Sequence, residues 1–165
     1  MWCSERRAVL AALAALAVLP ACGFTPAYGP GGSAGRLTGE VALTAPEDQA
    51  GYLFNRRIEE RLDRAALGRY TLEATVETEQ TDLGTTSTGS TTRYRILGSA
   101  RYRLTETGTG RLLLEDRIES FTGYSATGSN VSTLASERDA LQRVTTILAD
   151  RVVDALILAA PTLPE

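Results

Sequence analysis

The chain has no histidine and no lysine, so its 17 basic residues are all arginine. Without histidine, Ser-His-Asp and Cys-His catalysis are excluded, as is nearly every zinc site. Cysteine occurs only at positions 3 and 22, and aromatic residues make up 6% of the chain. No long hydrophobic run is present. Ala8 to Leu19 is the most extended apolar stretch, and it falls short of the roughly 17–25 residues that a stable membrane-spanning helix needs. The formal charge of −3 argues against bulk nucleic-acid binding, for which a basic face is the expected footprint.

What is present begins at the N-terminus. Arg6 and Arg7 precede the apolar run, which ends in Leu19-Pro20-Ala21-Cys22. A basic start, a short apolar stretch and small residues before a cut site make a secretory signal segment. With cysteine just after the cut, Leu19 to Cys22 resembles the bacterial lipobox, which predicts acylation of the Cys22 thiol and a mature chain starting there. A soluble secreted protein cut nearby, and a retained signal anchor, are the alternatives. Loss of Glu5, Arg6 and Arg7 would take the formal charge from −3 to about −4. Cys3 would be discarded and Cys22 acylated, so no disulfide is expected in the mature chain. What remains is long enough for one domain with a core of its own.

Residues 22–37 read as a lipidated N-terminus and flexible tether, rich in glycine with Pro26 and Pro30. Residues 38–160 read as a single α+β domain, and 161–165 as a C-terminal tail. Val41 and Leu43 suggest a first strand. Pro46, Glu47 and Asp48 suit the first turn of a helix. Phe54, Ile58, Leu62 and Ala65 continue it at helical spacing toward a stop near Gly68, with Gly51 weakening its start. Tyr70, Leu72, Ala74 and Val76 alternate with polar residues and predict a strand.

Thr81 to Thr92, almost all Thr, Ser and Gly, reads as a long loop. Tyr94 to Leu104 is the longest alternation in the chain and predicts another strand. Thr107 to Gly110 reads as a hairpin turn. A third strand of the run follows, from Arg111 to about Thr122. Its consecutive leucines suggest a bulge near Leu113. A long amphipathic helix is predicted from about Val131, with Ser132 as N-cap, to Pro161. The predicted architecture is a two-layer α+β sandwich in the order β-α-β-β-β-α. A mainly antiparallel sheet of about four strands carries both helices on one face. Phe54, Ile58, Leu62, Val144, Ile147 and Leu148 are expected to bury against Tyr70, Leu72, Ile96, Ala100 and Tyr102.

That order behind a lipobox resembles the LptE family of lipopolysaccharide-assembly lipoproteins. The residues that carry the resemblance are Cys22 to Gly29, Phe121-Thr122-Gly123-Tyr124-Ser125, Ser136-Glu137-Arg138-Asp139-Ala140 and Ile147-Leu148-Ala149-Asp150. The resemblance implies a non-enzymatic protein without cofactor or metal. It implies a lipid-anchored protein on the periplasmic side of the outer membrane, which plugs and helps assemble the LptD barrel and binds lipopolysaccharide. Gly23 after the cysteine, rather than aspartate, agrees with an outer-membrane address. The alternative is an accessory periplasmic lipoprotein of a lipid-transport ABC system.

Arg93, Arg95, Arg101 and Arg103 project from one face of one predicted strand and form the candidate lipopolysaccharide-phosphate contacts. Guanidinium offers a forked donor array that matches phosphate. The competing reading is cross-strand pairing with Glu73, Glu77, Glu115 and Glu119. Glu59-Glu60 and Glu115-Asp116 are weak candidates for a glycosidase pair. Ser125 and Ser136 lack any histidine or lysine to activate them. No catalytic residue is therefore expected.

Overall fold

The computed structural model describes residues 26–29, 32–85 and 91–164; Cys22 and the signal segment lie outside them. The elements are β1 (Val41–Leu43), α1 (Gln49–Leu62), β2 (Tyr70–Thr85), β3 (Thr91–Glu106), β4 (Leu112–Ser125) and α2 (Asn130–Ala159). Short 3-10 turns span Ser33–Arg36 and Ala160–Thr162. The sheet order is β1-β2-β3-β4. β1 runs parallel to β2, as the intervening helix requires, and the other pairs are antiparallel. The fold is the predicted α+β arrangement, with its sheet mixed only at β1.

Alternation explains the layers. Tyr70, Leu72 and Val76 of β2 are buried beneath the helices, as are Ile96, Ala100, Tyr102 and Leu104 of β3. From α1 come Phe54, Ile58 and Leu62, and from α2 Val144, Leu148, Val152, Val153 and Leu156. Gly98 lets α2 come close: a Cβ there would lie 2.8 Å from Val144 Cγ2 and 3.0 Å from Leu148 Cδ1. Thr122 of β4 is buried and donates to the Ala140 carbonyl at 2.9 Å, tying the sheet's last strand to α2. Of the expected core residues, Ile147 departs from the reading. It is only half-buried, because the stripe that meets the sheet runs through Val144 and Leu148.

Several boundaries also depart. α1 starts at Gln49 rather than at Pro46, because Asp48 is its N-cap and accepts from the Gly51 N–H at 2.7 Å. It ends at Leu62, not near Gly68. Asp63 turns the chain with φ 58° and ψ 159°, and the Leu62 carbonyl accepts from the Gly39 N–H at 2.7 Å. α2 starts one residue early, capped by Ser129 rather than Ser132. The stretch expected as a loop over 81–92 is largely strand: β2 continues to Thr85 and β3 begins at Thr91, with residues 86–90 outside the described set. β4 runs on to Ser125. The bulge is where it was expected, since Leu104 pairs Leu114 and Thr105 pairs Leu112, leaving Leu113 extra.

The segment expected as a tether contributes to the core. Ala34 and Leu37 are buried, and Arg36 donates to the Ala160 carbonyl at 3.2 Å. At the other end Leu163 is buried and Tyr70 donates to the Pro164 carbonyl at 2.6 Å. The two helices differ in reach. Fourteen residues of α1 span about 21 Å, whereas sixteen-residue strands span about 53 Å. α1 therefore covers only the first part of β2, and Thr78 and Gln80, in the helix-facing phase of the strand, are exposed.

Candidate functional site: the outer face of the sheet

The face opposite the helices is built by the odd-numbered positions of β3. Ile96, Ala100, Tyr102 and Leu104 face the core, so Arg93, Arg95, Arg101 and Arg103 share the other side. Register then fixes their neighbours. Glu73 and Glu115 flank Arg103, Thr75 and Arg117 flank Arg101, Glu77 and Glu119 flank Ser99, and Glu79 and Phe121 flank Leu97.

Only one of the four arginines has a carboxylate partner among the described residues. Arg103 Nη2 lies 3.4 Å from Glu115 Oε1 across the β3–β4 pair, with both side chains about half exposed. Such a pair is worth at most about 1 kcal/mol. Arg95 places its guanidinium carbon 5.1 Å from the centroid of the Phe121 ring, and its Nε is buried without a hydrogen-bond partner. Phe121 is 63% exposed beside partly exposed Leu97. Arg101 has Arg117 directly opposite, and Arg117 turns to Glu119 at 2.9 Å. Arg93 stands opposite Gly84 and Ser125, neither of which carries charge.

The face thus offers cations next to an exposed aromatic ring and a leucine. Arg117 and Phe121 extend the strip and were not among the expected contacts. Their phase depends on the bulge at Leu113, since a one-residue shift reverses every side chain of β4. The glutamates Glu73, Glu77 and Glu79 form a parallel acidic line on β2 without ion pairs among the described residues.

The carboxylates considered for acid–base work are engaged elsewhere. Glu59 pairs Arg64 at 3.5 Å, and Glu60 pairs Arg56 and Arg57 at 3.5 and 3.2 Å. Asp116 accepts from the Arg117 N–H at 2.7 Å. Ser136 donates to the Ser132 carbonyl at 2.9 Å. Among the described residues no group of His, Cys, Asp and Glu is placed to hold a metal ion. None of their helices is long and apolar enough to cross a membrane.

A second cluster binds the helices together. Asp150 of α2 accepts from Arg57 Nε at 2.9 Å and Arg61 Nη1 at 2.8 Å, both on α1. Burial alone would raise the Asp150 carboxyl. Hydrogen bonds from Arg57, then Arg61, outweigh it and hold the group below its ordinary value. Arg61 also meets Asp154 at 3.1 Å and the Tyr28 hydroxyl, its guanidinium lying 5.7 Å from the Tyr28 ring centroid. The aromatic residue six positions after Cys22 is therefore fastened to the helical layer.

A family model for lipopolysaccharide assembly, LptE, matches residues 38–156. The chain belongs to the LptE family. Solved structures share the fold of this LptE-family chain at low identity. A protein of Caulobacter crescentus CB15 superposes with a TM-score of 0.70 and 18% identity, covering 82% of this chain and 100% of its own. Rare lipoprotein B from Shewanella oneidensis gives 0.58 and 12%, covering 74% and 96%. A minor lipoprotein from Acinetobacter baumannii gives 0.52 and 14%, covering 76% and 92%. No curated protein sequence matches significantly.

Proposed function

We propose that this LptE-family chain is a non-catalytic outer-membrane lipoprotein. It is anchored through acylated Cys22, seats inside the LptD barrel as a plug, and contacts lipopolysaccharide through the arginine strip of β3. The observation that carries the lipid contact is that Arg93, Arg95 and Arg101 have no carboxylate partner among the described residues, while Arg117 adds a fourth cation beside Arg101. Unpaired guanidiniums on a sheet face suit phosphate, and exposed Phe121 and Leu97 supply apolar surface for the lipid beside them.

The test is lipopolysaccharide binding by the full chain in detergent. Arg93→Glu with Arg101→Glu should weaken binding at least about tenfold and leave the circular dichroism spectrum unchanged, because neither side chain faces the core. Binding should also weaken as salt rises. Unchanged affinity in the folded double variant overturns the lipid contact. For the partner, pull-down from solubilised outer membrane should recover the barrel; recovery of an ABC permease instead would overturn the plug reading. Intact mass should show acyl chains on a chain beginning at Cys22, and Cys22→Ala should abolish them.

A further inference from the structure

The two edges of the sheet are treated differently. β4 is an edge strand along its whole length, and α2 guards it. Arg151 Nη1 donates to the Glu119 carbonyl at 2.8 Å, and Arg143 Nη2 donates to the Gly123 carbonyl at 3.1 Å. At the opposite edge β1 pairs with only three of the sixteen residues of β2. The Tyr70 N–H donates to Glu40 and the Leu72 carbonyl accepts from Thr44, so even-numbered residues of β2 direct their backbone groups outward. Alternation continues without a register shift to Asp82. Ala74, Val76, Thr78 and Gln80 therefore hold a row of backbone donors and acceptors without a hydrogen-bond partner among the described residues, open at Thr78 and Gln80 and facing Thr44 to Asp48 across a groove at Ala74 and Val76. Long unpaired edges template strand addition and are usually blunted.

The geometry points to this edge as a β-augmentation site, and its occupant as an extended segment of another protein that alternates arginine or lysine with apolar residues. Charge makes the choice. β2 carries Glu73, Glu77, Glu79 and Asp82 and no basic residue. On the outer face of an added strand, basic side chains would stand beside Glu73, Glu77 and Glu79, which have no ion partner among the described residues. On the inner face, side chains would enter the cleft beside the start of α1, where Ile96, Leu134 and Leu141 offer apolar surface among Gln80, Glu137 and Arg138. Leu134 is 47% exposed there. A second copy of this chain is the poorer occupant, since edge-to-edge pairing of β2 with itself would set glutamate against glutamate. The site differs in edge, charge and ligand from the arginine strip and stands without it.

The test uses the full chain in detergent and a blocked synthetic peptide alternating valine and arginine. Binding should slow hydrogen exchange at the Val76, Thr78 and Gln80 amides, because their N–H groups become paired. Thr78→Pro removes one outward donor at an edge position that tolerates proline, and should weaken binding at least about tenfold. Glu77→Arg with Glu79→Arg should weaken it similarly, and a valine–glutamate peptide should not bind. Binding without slowed exchange at those amides would be electrostatic adhesion only and would overturn the proposal. So would equal affinity for Thr78→Pro in its folded form, or protection of the same amides by self-association alone. If Thr78→Pro does not fold, exchange on the unaltered chain decides.

Discussion

Arg101 lies directly opposite Arg117 across the β3–β4 pair. Like charges at facing positions destabilise a sheet, whereas opposite charges contribute roughly 0.2–1 kcal/mol. The pair therefore adds no cross-strand stabilisation: Arg117 turns to Glu119 at 2.9 Å, and Arg101 is left without a carboxylate partner among the described residues and open to an anion. Replacing Arg101→Gln, which adds no carboxylate among the diagonal neighbours Glu73, Glu77, Glu115 and Glu119, should leave the melting temperature nearly unchanged while weakening lipopolysaccharide binding. Differential scanning calorimetry and binding on the same sample check both. A lowered melting temperature with unchanged binding would show that Arg101 serves those glutamates and not a ligand.

The layer packing makes a sharper demand. Leu148 is fully buried, whereas Ile147 is half-buried one position away. Leu148→Ala should cost about 2–5 kcal/mol, and Ile147→Ala about 1 kcal/mol or less. Gly98→Ala forces a methyl to within 2.8 Å of Val144 and should cost about 1–3 kcal/mol as overpacking. Urea unfolding of the three variants ranks them; equal losses at Leu148 and Ile147 would place both on the sheet.

These residues also show what could be read beforehand. Tyr94 to Leu104 was legible because six alternate positions keep one polarity. The extension of β2 to Thr85 was not, since Thr81 to Thr85 has no apolar alternation and is held as strand by pairing to β3. Helix ends lie where a cap outweighs composition: Asp48 beats Pro46, Ser129 beats Ser132, and Asp63 stops α1 before Gly68 is reached. Ile147 and Leu148 both fit a helical stripe, and only the position of the sheet separates them. At the site, the four arginines shared a face in the sequence as they do in the fold. Their pairing was not legible, because side-chain choice between Glu73 and Glu115, which flank Arg103 alike, depends on reach rather than on register.

The interhelical carboxylate gives a pH dependence with a definite sign. The folded-state value of Asp150 lies below its ordinary one, so its contribution is complete above the usual carboxylate range and is lost as pH falls through the depressed value. With Asp150 about 30% exposed, that contribution is small, about 1 kcal/mol after solvent screening. Asp150→Asn should lower stability at neutral pH by about that amount and flatten the acid limb of the stability curve, while Asp154→Asn, 64% exposed, should do neither. Denaturant midpoints measured from neutral pH to below the carboxylate range check this. An acid limb unchanged in Asp150→Asn would assign it to other carboxylates.

Asp63 is the one described residue other than glycine with a positive φ, and its ψ of 159° lies in a region that glycine alone enters freely. Such backbone strain costs roughly 1–3 kcal/mol. Asp63→Gly removes it and gives back about 0.5–1 kcal/mol through the freer unfolded chain. The side chain makes no ion pair or hydrogen bond among the described residues and is exposed, so nothing else is lost. The net expectation is about 1 kcal/mol of added stability, read as a rise of a few degrees in melting temperature. Asp63→Ala is the control: it keeps the strain and should give no such rise. Equal melting temperatures for the glycine and alanine variants would mean that the turn after α1 relaxes in solution and that Leu62 ends the helix for another reason, the Gly39 N–H on its carbonyl being the next to test.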